Sequence, residues 1–210
     1  MSPIPSGPLT YPARPVNGGQ LKHALPKIGQ WFYEPKYNGW RAMVHVPSGT
    51  MWNRHGTRLT IAREFKVALD ILRRSSLEWA DVEALERRHG LGCGSLIVLD
   101  SPAPPSWSPT PPLWSYDFRR TFLYSTLVAT NLGECLIQTF KPEENTIYIA
   151  PSYGEAERDK LWQQLQDVNR CLGCIFYEGL VAKKTDSLYP LQLNSSEQTT
   201  ATWMKHRFVR

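Results

Sequence analysis

The segment EPKYNGWR, residues 34–41, carries the side chains of this chain best suited to covalent chemistry: Lys36, with Gly39 three residues on and Glu34 and Arg41 at the two ends. A lysine amine is a nucleophile once neutral; its ordinary pKa is near ~10.4, and desolvation together with neighbouring cations brings that down. A nearby glycine lets a phosphate come close to the backbone without a side-chain clash. Taken alone, KxNGxR is also the pattern of a surface lysine beside a hairpin turn. The order and company of the other segments decide between the two.

Five segments follow: NRHG at 53–56, DVE at 81–83, VLD at 98–100, EGLVAK at 178–183 and WMKHR at 203–207. Together with KYNGWR they resemble, in order, the motif series of the covalent nucleotidyltransferase superfamily, which comprises ATP-dependent DNA ligases, RNA ligases and mRNA capping enzymes. The resemblance runs over residues 31–207 and rests on the succession of six motifs, each weak alone.

The resemblance implies roles position by position. Lys36 matches the nucleophile that takes AMP from ATP as a lysyl-AMP adduct. Lys205 and Arg207 match the two basic positions of the last core motif, which contact the α-phosphate and stabilise charge as pyrophosphate leaves; Lys183 is a further neighbouring cation. Glu178 matches the holder of a divalent metal and Glu83 the residue that reaches the ribose or a metal-bound water. Both suit Mg²⁺ or Mn²⁺, hard cations that need one or two carboxylates plus substrate phosphates. Arg41 and Arg54 resemble the family's arginines for the ribose and for the 5′-phosphate of a nicked strand, tasks that fit a guanidinium fork. Glu34 matches the reader of the adenine amino group, with Val181 as the floor of the purine and Leu99 as the opposite wall. The chain departs from the family at Asn38, where most DNA ligases and capping enzymes have Asp, at Val82, where Gly is common, and at Leu99, where an aromatic often stands. Asn38 can orient the lysine by hydrogen bonding but supplies no negative charge.

These residues need elements to position them. From Trp31 the text is β-like, with Trp40, Ala42, Val44 and Val46 alternating with Arg41, Met43 and His45 as in a half-buried strand. MWNRHGTRLT returns after a Pro47–Gly49 turn, so Lys36 is expected near the entrance of a hairpin. IAREFKVALDILRRSS places Ile61, Phe65, Ala68, Leu69 and Leu72 on one helical face. WADVEALERR and GSLIVLDSP are expected to pair antiparallel, YDFRRTFLYSTLVATN to be helical through Phe118, Phe122 and Leu123, and EAERDKLWQQLQDVNRCL to be a helix ending near Gly173. CIFYEGLVAKK and ATWMKHRFVR close the series as strands. The expected class is α+β, antiparallel sheets flanked by helices, the ligase-type adenylation domain.

Residues 1–20, rich in Pro and Gly, are expected to be a flexible arm without regular strand, 21–210 the nucleotidyltransferase domain, and 101–112 a proline-rich surface loop. The four cysteines include one CxxC, at Cys171 and Cys174, without a second half-site, so partly buried reduced thiols are expected rather than structural zinc.

The 210 residues, 41% hydrophobic and 20% charged, suffice for one sizeable core and argue against a disordered chain. Net charge is +5 and the sequence pI about 9.1, which favours a polyanionic partner. No apolar run approaches a membrane span and no signal peptide is legible, so a cytoplasmic or nucleoid-associated protein is expected, not a secreted one. Family ligases continue into an OB-fold domain; this sequence stops at Arg210, which leaves open a minimal ligase, a fragment, or a partner that supplies the OB-fold role. The reading is an ATP-dependent ligase joining 3′-OH and 5′-phosphate ends, foremost nicks in DNA, with RNA ends or mixed RNA–DNA joining as the alternative, and a monomer by family resemblance. A GTP-using capping enzyme is the lesser enzyme rival. A non-catalytic nucleic-acid-binding pseudo-ligase is the rival of another class.

Overall fold

The computed structural model describes residues 12–21, 29–85, 90–102, 114–128, 142–190 and 198–208. Most of the proline-rich segment expected at 101–112 lies outside these residues, as do 1–11 of the arm. Two sheets form. One has the order β1 (Arg14–Asn17), β9 (Thr199–Arg207), β8 (Tyr177–Lys184), β2 (Trp31–Tyr37); the other has β4 (Thr50–Trp52), β3 (Trp40–His45), β5 (Trp79–Leu85), β6 (Ser95–Asp100), β7 (Ile147–Ile149). Helices α1 (Lys66–Leu72), α2 (Tyr116–Val128) and α3 (Arg158–Leu172) pack on them. The class is α+β, as expected, but both sheets are mixed: β1 runs parallel to β9 and β7 parallel to β6.

Asn38 and Gly39 are where the chain leaves one sheet for the other. The β3–β4 hairpin forms with Val44 opposite Met51, yet Lys36 is not at its entrance: it stands near the end of β2, in the other sheet, opposite Gly179. Both faces of β3 are buried, which is why its alternation misleads. Ala42 and Val44 enter one apolar core with α1, α2, Val82 and Val98, while Met43 packs with Trp52 and Trp79 on the other side. Trp40, expected inside, is 42% exposed at the strand's start.

The strand pair 79–85 and 95–100 is antiparallel, with Glu83 opposite Ile97. Phe65, Ala68, Leu69 and Leu72 are buried as the helical spacing requires, although residues 60–65 wind as a 3₁₀ turn before α1. In α2 the inward face carries Tyr116, Arg119 and Leu123, whereas Phe118 is exposed and meets Trp114. Helix α3 buries Leu161 and Leu165 on the first sheet, each contributing about 1.5–3 kcal/mol, and ends at Gly173 in the left-handed region at φ 66°. Part of the expected arm is a strand: β1 exists because Arg14 N–H donates to the Gln198 carbonyl and Gly18 N–H to the Lys205 carbonyl, bonds that the flanking prolines do not need to make. Cys93 and Cys174 are partly buried thiols and Cys171 is exposed.

Candidate active site

Strand periodicity aims the site. Side chains two apart share a face, so Glu34 and Lys36 of β2, Val181 and Lys183 of β8, and Trp203, Lys205 and Arg207 of β9 form one surface of the first sheet, through the registers Glu34–Val181–Lys205 and Lys36–Gly179–Arg207. The second sheet turns Arg41 of β3 and the directly opposed Glu83 of β5 toward it. Leu99 joins them because the β5–β6 register slips between Asp81/Asp100 and Val82/Val98, leaving Leu99 as the extra residue of a bulge. Between the sheets lies a cleft of about 400 Å³, a volume ordinary for a small-molecule site. All of these side chains line it, with Arg54 from the exposed turn after β4 and Arg14, Pro12 and Pro15 from the N-terminal segment.

Lys36 donates to Glu178 Oε2, and Arg207 Nη2 lies 3.4 Å from the same oxygen. Lys205 stands in this cluster with its pKa lowered, chiefly by burial and then by the positive charges of Arg207, Lys36 and Arg14, against a raising influence from Glu178. Gly179, opposite Lys36, is what lets β8 and β9 pair closely here: its φ is 143°, and a Cβ there would sit 1.9 Å from the His206 carbonyl oxygen.

Glu83 accepts the Gly39 N–H at 2.9 Å and, although open to the cleft, is held among protein atoms on its other sides. Burial pushes its carboxyl up to about 7, opposed by the charges of Lys36 and Arg41. Arg41 forks onto Asp81, with Nε–Oδ1 at 2.8 Å and Nη2–Oδ2 at 2.5 Å, and Tyr189 Oη donates to Asp81 at 2.9 Å. Glu178 is bonded to Lys36, and Glu83, on the second sheet, feels the charge of Lys36 across the cleft. Among the described residues no group of three or more Asp, Glu, His or Cys is arranged to hold a metal.

The Glu34 end of the cleft is built from buried, paired charges. Glu34, 2% exposed, accepts the Tyr116 hydroxyl on Oε1 and the Lys183 ammonium at 2.9 Å on Oε2. Lys183 also donates to the Leu99 carbonyl at 3.2 Å, lies 3.7 Å from Asp100 Oδ2 and faces the Trp203 ring at 4.6 Å. It is thus bound at the Glu34 end instead of standing in the Lys36 cluster. Behind it Arg119, 1% exposed, clamps Asp100 with Nε and Nη2 at 2.8 and 3.1 Å and donates Nη1 to the carbonyls of Trp114 and Ser187.

No protein-family model matches the sequence, and no curated protein matches it significantly. Solved structures do match. The ligase domain of LigD from M. tuberculosis aligns at a TM-score of 0.59 with 18% identity, over 94% of this chain and 59% of that one. A Lig E DNA ligase gives 0.55 with 14% identity over 95% and 70%, and Chlorella virus DNA ligase-adenylate 0.54 with 16% over 94% and 69%. This is the fold of the DNA ligase adenylation domain. At these identities the likeness is one of fold.

Within the adenylation-domain fold the eleven positions singled out in the sequence converge: ten line the cleft, and the eleventh, Glu178, is bonded to Lys36. Asn38 Nδ2 donates to the Ile175 carbonyl at 2.9 Å, fastening the sheet-crossing turn to the approach of β8, a bond that Asp could not donate. Arg14, Asp81, Asp100, Tyr116, Arg119, Tyr189 and Trp203 line or brace the cleft beyond those eleven. Asp81, Asp100 and Trp203 belong to the DVE, VLD and WMKHR segments; the sequence signal for Arg119 is a charge between Tyr116 and Leu123 on the helix face that turns inward.

Proposed function

We propose that this chain is the nucleotidyltransferase of an ATP-dependent polynucleotide ligase acting on nicked DNA. The observation that carries the reading is Lys36 at the floor of the inter-sheet cleft, ion-paired to Glu178 and flanked by Lys205 and Arg207. The purine lies between Val181 and Leu99, with Glu34 offering carboxylate oxygens to an amino-bearing edge. Arg41, fixed by Asp81, and Glu83 face the ribose.

Neutral Lys36 attacks the α-phosphorus: the N–P bond forms, one N–H proton is released to water, the bond to the bridging oxygen breaks, and pyrophosphate leaves with that electron pair. Lys205 and Arg207 stabilise the charge that develops on the phosphoryl oxygens. A 5′-phosphate oxygen, oriented by Arg54, then displaces Lys36 from the AMP phosphorus, and a 3′-hydroxyl oxygen finally displaces AMP to form the phosphodiester. Glu83 and Glu178 would hold Mg²⁺ or Mn²⁺, which neutralises triphosphate charge when bound. Position and electrostatics suffice as the protein's contribution, because the leaving groups are good ones.

Incubation with α-labelled ATP or GTP and a divalent cation tests the reading. The wild type acquires an acid-labile AMP adduct from ATP, Lys36→Ala does not, and a nick already carrying 5′-AMP is sealed by the wild type. A protein that takes no label and seals no pre-adenylated nick is not a ligase. A label from GTP alone would reassign it to capping chemistry.

A further inference from the structure

We propose that Tyr189 and Trp203 are positioning residues for nucleotide binding: together with Asp81 they hold the Arg41 guanidinium in the orientation it presents to the cleft, and they act on the nucleotide through it; this rests on the reading above that sets Arg41 against the ribose. Arg41 and Asp81 are diagonal neighbours on one face of the second sheet, since Arg41 stands opposite Glu83 and Met43 opposite Asp81. Asp81 takes Nε and Nη2 of the arginine in a fork, and Tyr189 Oη donates to the same carboxylate at 2.9 Å. Trp203 comes from β9 of the first sheet, and the guanidinium carbon of Arg41 lies 5.3 Å from the centre of its ring. The Tyr189 ring closes the circuit. It meets the Trp203 ring edge-on, 5.6 Å away at 87°, and the Arg119 guanidinium lies 5.4 Å from its centre.

Exposure separates the presented group from its supports. Asp81 and Trp203 are fully buried and Tyr189 nearly so, whereas the Arg41 side chain keeps 24% of its surface and lines the cleft. The other clamped arginine, Arg119, is buried and serves Asp100 and two backbone carbonyls, as a structural arginine does. A guanidinium on a long, rotatable stem loses freedom when it binds a ligand; a fork on one edge and a ring against its carbon remove much of that cost beforehand. Trp203 contributes its ring rather than its N–H. Among the described residues its buried Nε1–H makes no hydrogen bond, while Arg41 and Lys183 face the ring, each tethered to its own carboxylate, Asp81 and Glu34.

ATP binding and the ATP dependence of Lys36 labelling are measured for wild type, Tyr189→Phe, Trp203→Phe and Trp203→Leu, each also combined with Arg41→Gln, and urea unfolding establishes that every variant is folded in the assay. Tyr189→Phe removes one hydroxyl from Asp81; it weakens ATP binding and raises the KM for labelling by about 10-fold, the low end of what losing an outer hydrogen-bond partner costs, with kcat within about 2-fold of wild type. Trp203→Leu, which offers no ring, loses at least as much, and Trp203→Phe recovers part of it. Beside Arg41→Gln the same substitutions add less than about 2-fold, because the group they position is gone. Losses that persist in full beside Arg41→Gln, or a fall in kcat with KM unchanged, would mean general support of the fold and overturn the proposal. Unchanged ATP affinity in folded Tyr189→Phe would overturn it too. A wild type that binds ATP but takes no label ends the ligase reading and leaves the binding arm to decide on Tyr189 and Trp203; one that binds no ATP ends both.

Discussion

Arg119→Met removes the innermost support of the cleft, and the structure sets the size of the effect. Arg119 and Asp100 are 1% and 2% exposed, joined by two hydrogen bonds, and the arginine also satisfies two backbone carbonyls. Breaking a buried pair at one partner costs ~3–5 kcal/mol because the other charge stays behind. Asp100 retains the Ser101 N–H at 2.9 Å and Lys183 at 3.7 Å, so the cost falls at the lower end, about 3 kcal/mol. For a chain of this size that is a fall in Tm of roughly 6–12 °C. Burial alone would push the Asp100 carboxyl up, but Arg119 and Lys183 outweigh it and hold it below the usual range. A carboxylate so held contributes stability above its unfolded pKa and loses it as pH falls through the lower folded value. Acid unfolding of Arg119→Met therefore begins at higher pH than in wild type. Thermal and urea unfolding read the stability, and the double variant Arg119→Met with Asp100→Leu recovers at least about 1 kcal/mol by removing the stranded charge. A Tm loss under about 2 °C, or a double variant less stable than the single one, would refute the reasoning.

Gly179→Ala forces a Cβ to 1.9 Å from the His206 carbonyl oxygen in a left-handed backbone, so β8 and β9 must part; unfolding shows a loss above about 3 kcal/mol, and any folded fraction labels poorly at Lys36. Glu83, raised from 4.5 to about 7, binds its proton more tightly folded than unfolded, so it lowers stability as pH climbs through that window. Glu83→Gln is accordingly more stable than wild type at pH 8, by about 2–3 kcal/mol in urea unfolding, with little difference at pH 4. Asn38→Asp restores the residue common in the resembled family yet loses the donor to the Ile175 carbonyl, costing about 1 kcal/mol by the same measurement.

Much of the site was legible because strand periodicity and motif order agree. Glu34 and Lys36, Val181 and Lys183, and Lys205 and Arg207 are each two apart, so whichever face of a strand meets the cleft presents both members of each pair. What the sequence concealed is long-range. Nothing local says that Asn38–Gly39 passes the chain from one sheet to another, since a hairpin fits the same turn residues. The alternation in β3 reads as one buried face, but the second sheet covers the other, so Met43 is as buried as Ala42. Strand β1 hides among prolines because its edge position excuses the bonds they cannot make, and β7, three residues long, is defined by its neighbour β6. Lys183 reads as a further cation beside Lys36, but Glu34, the Leu99 carbonyl and Asp100, all from other strands, hold its ammonium at the other end of the cleft.

The central claim is that Lys36 Nζ is the atom that accepts AMP. Peptide mapping of protein incubated with ATP and Mg²⁺, under conditions that preserve phosphoramidates, tests it most directly. The account predicts one AMP on the peptide containing Lys36, lost on mild acid treatment and absent from Lys36→Ala. An AMP adduct on any other residue, or an adduct that persists in Lys36→Ala, would contradict it.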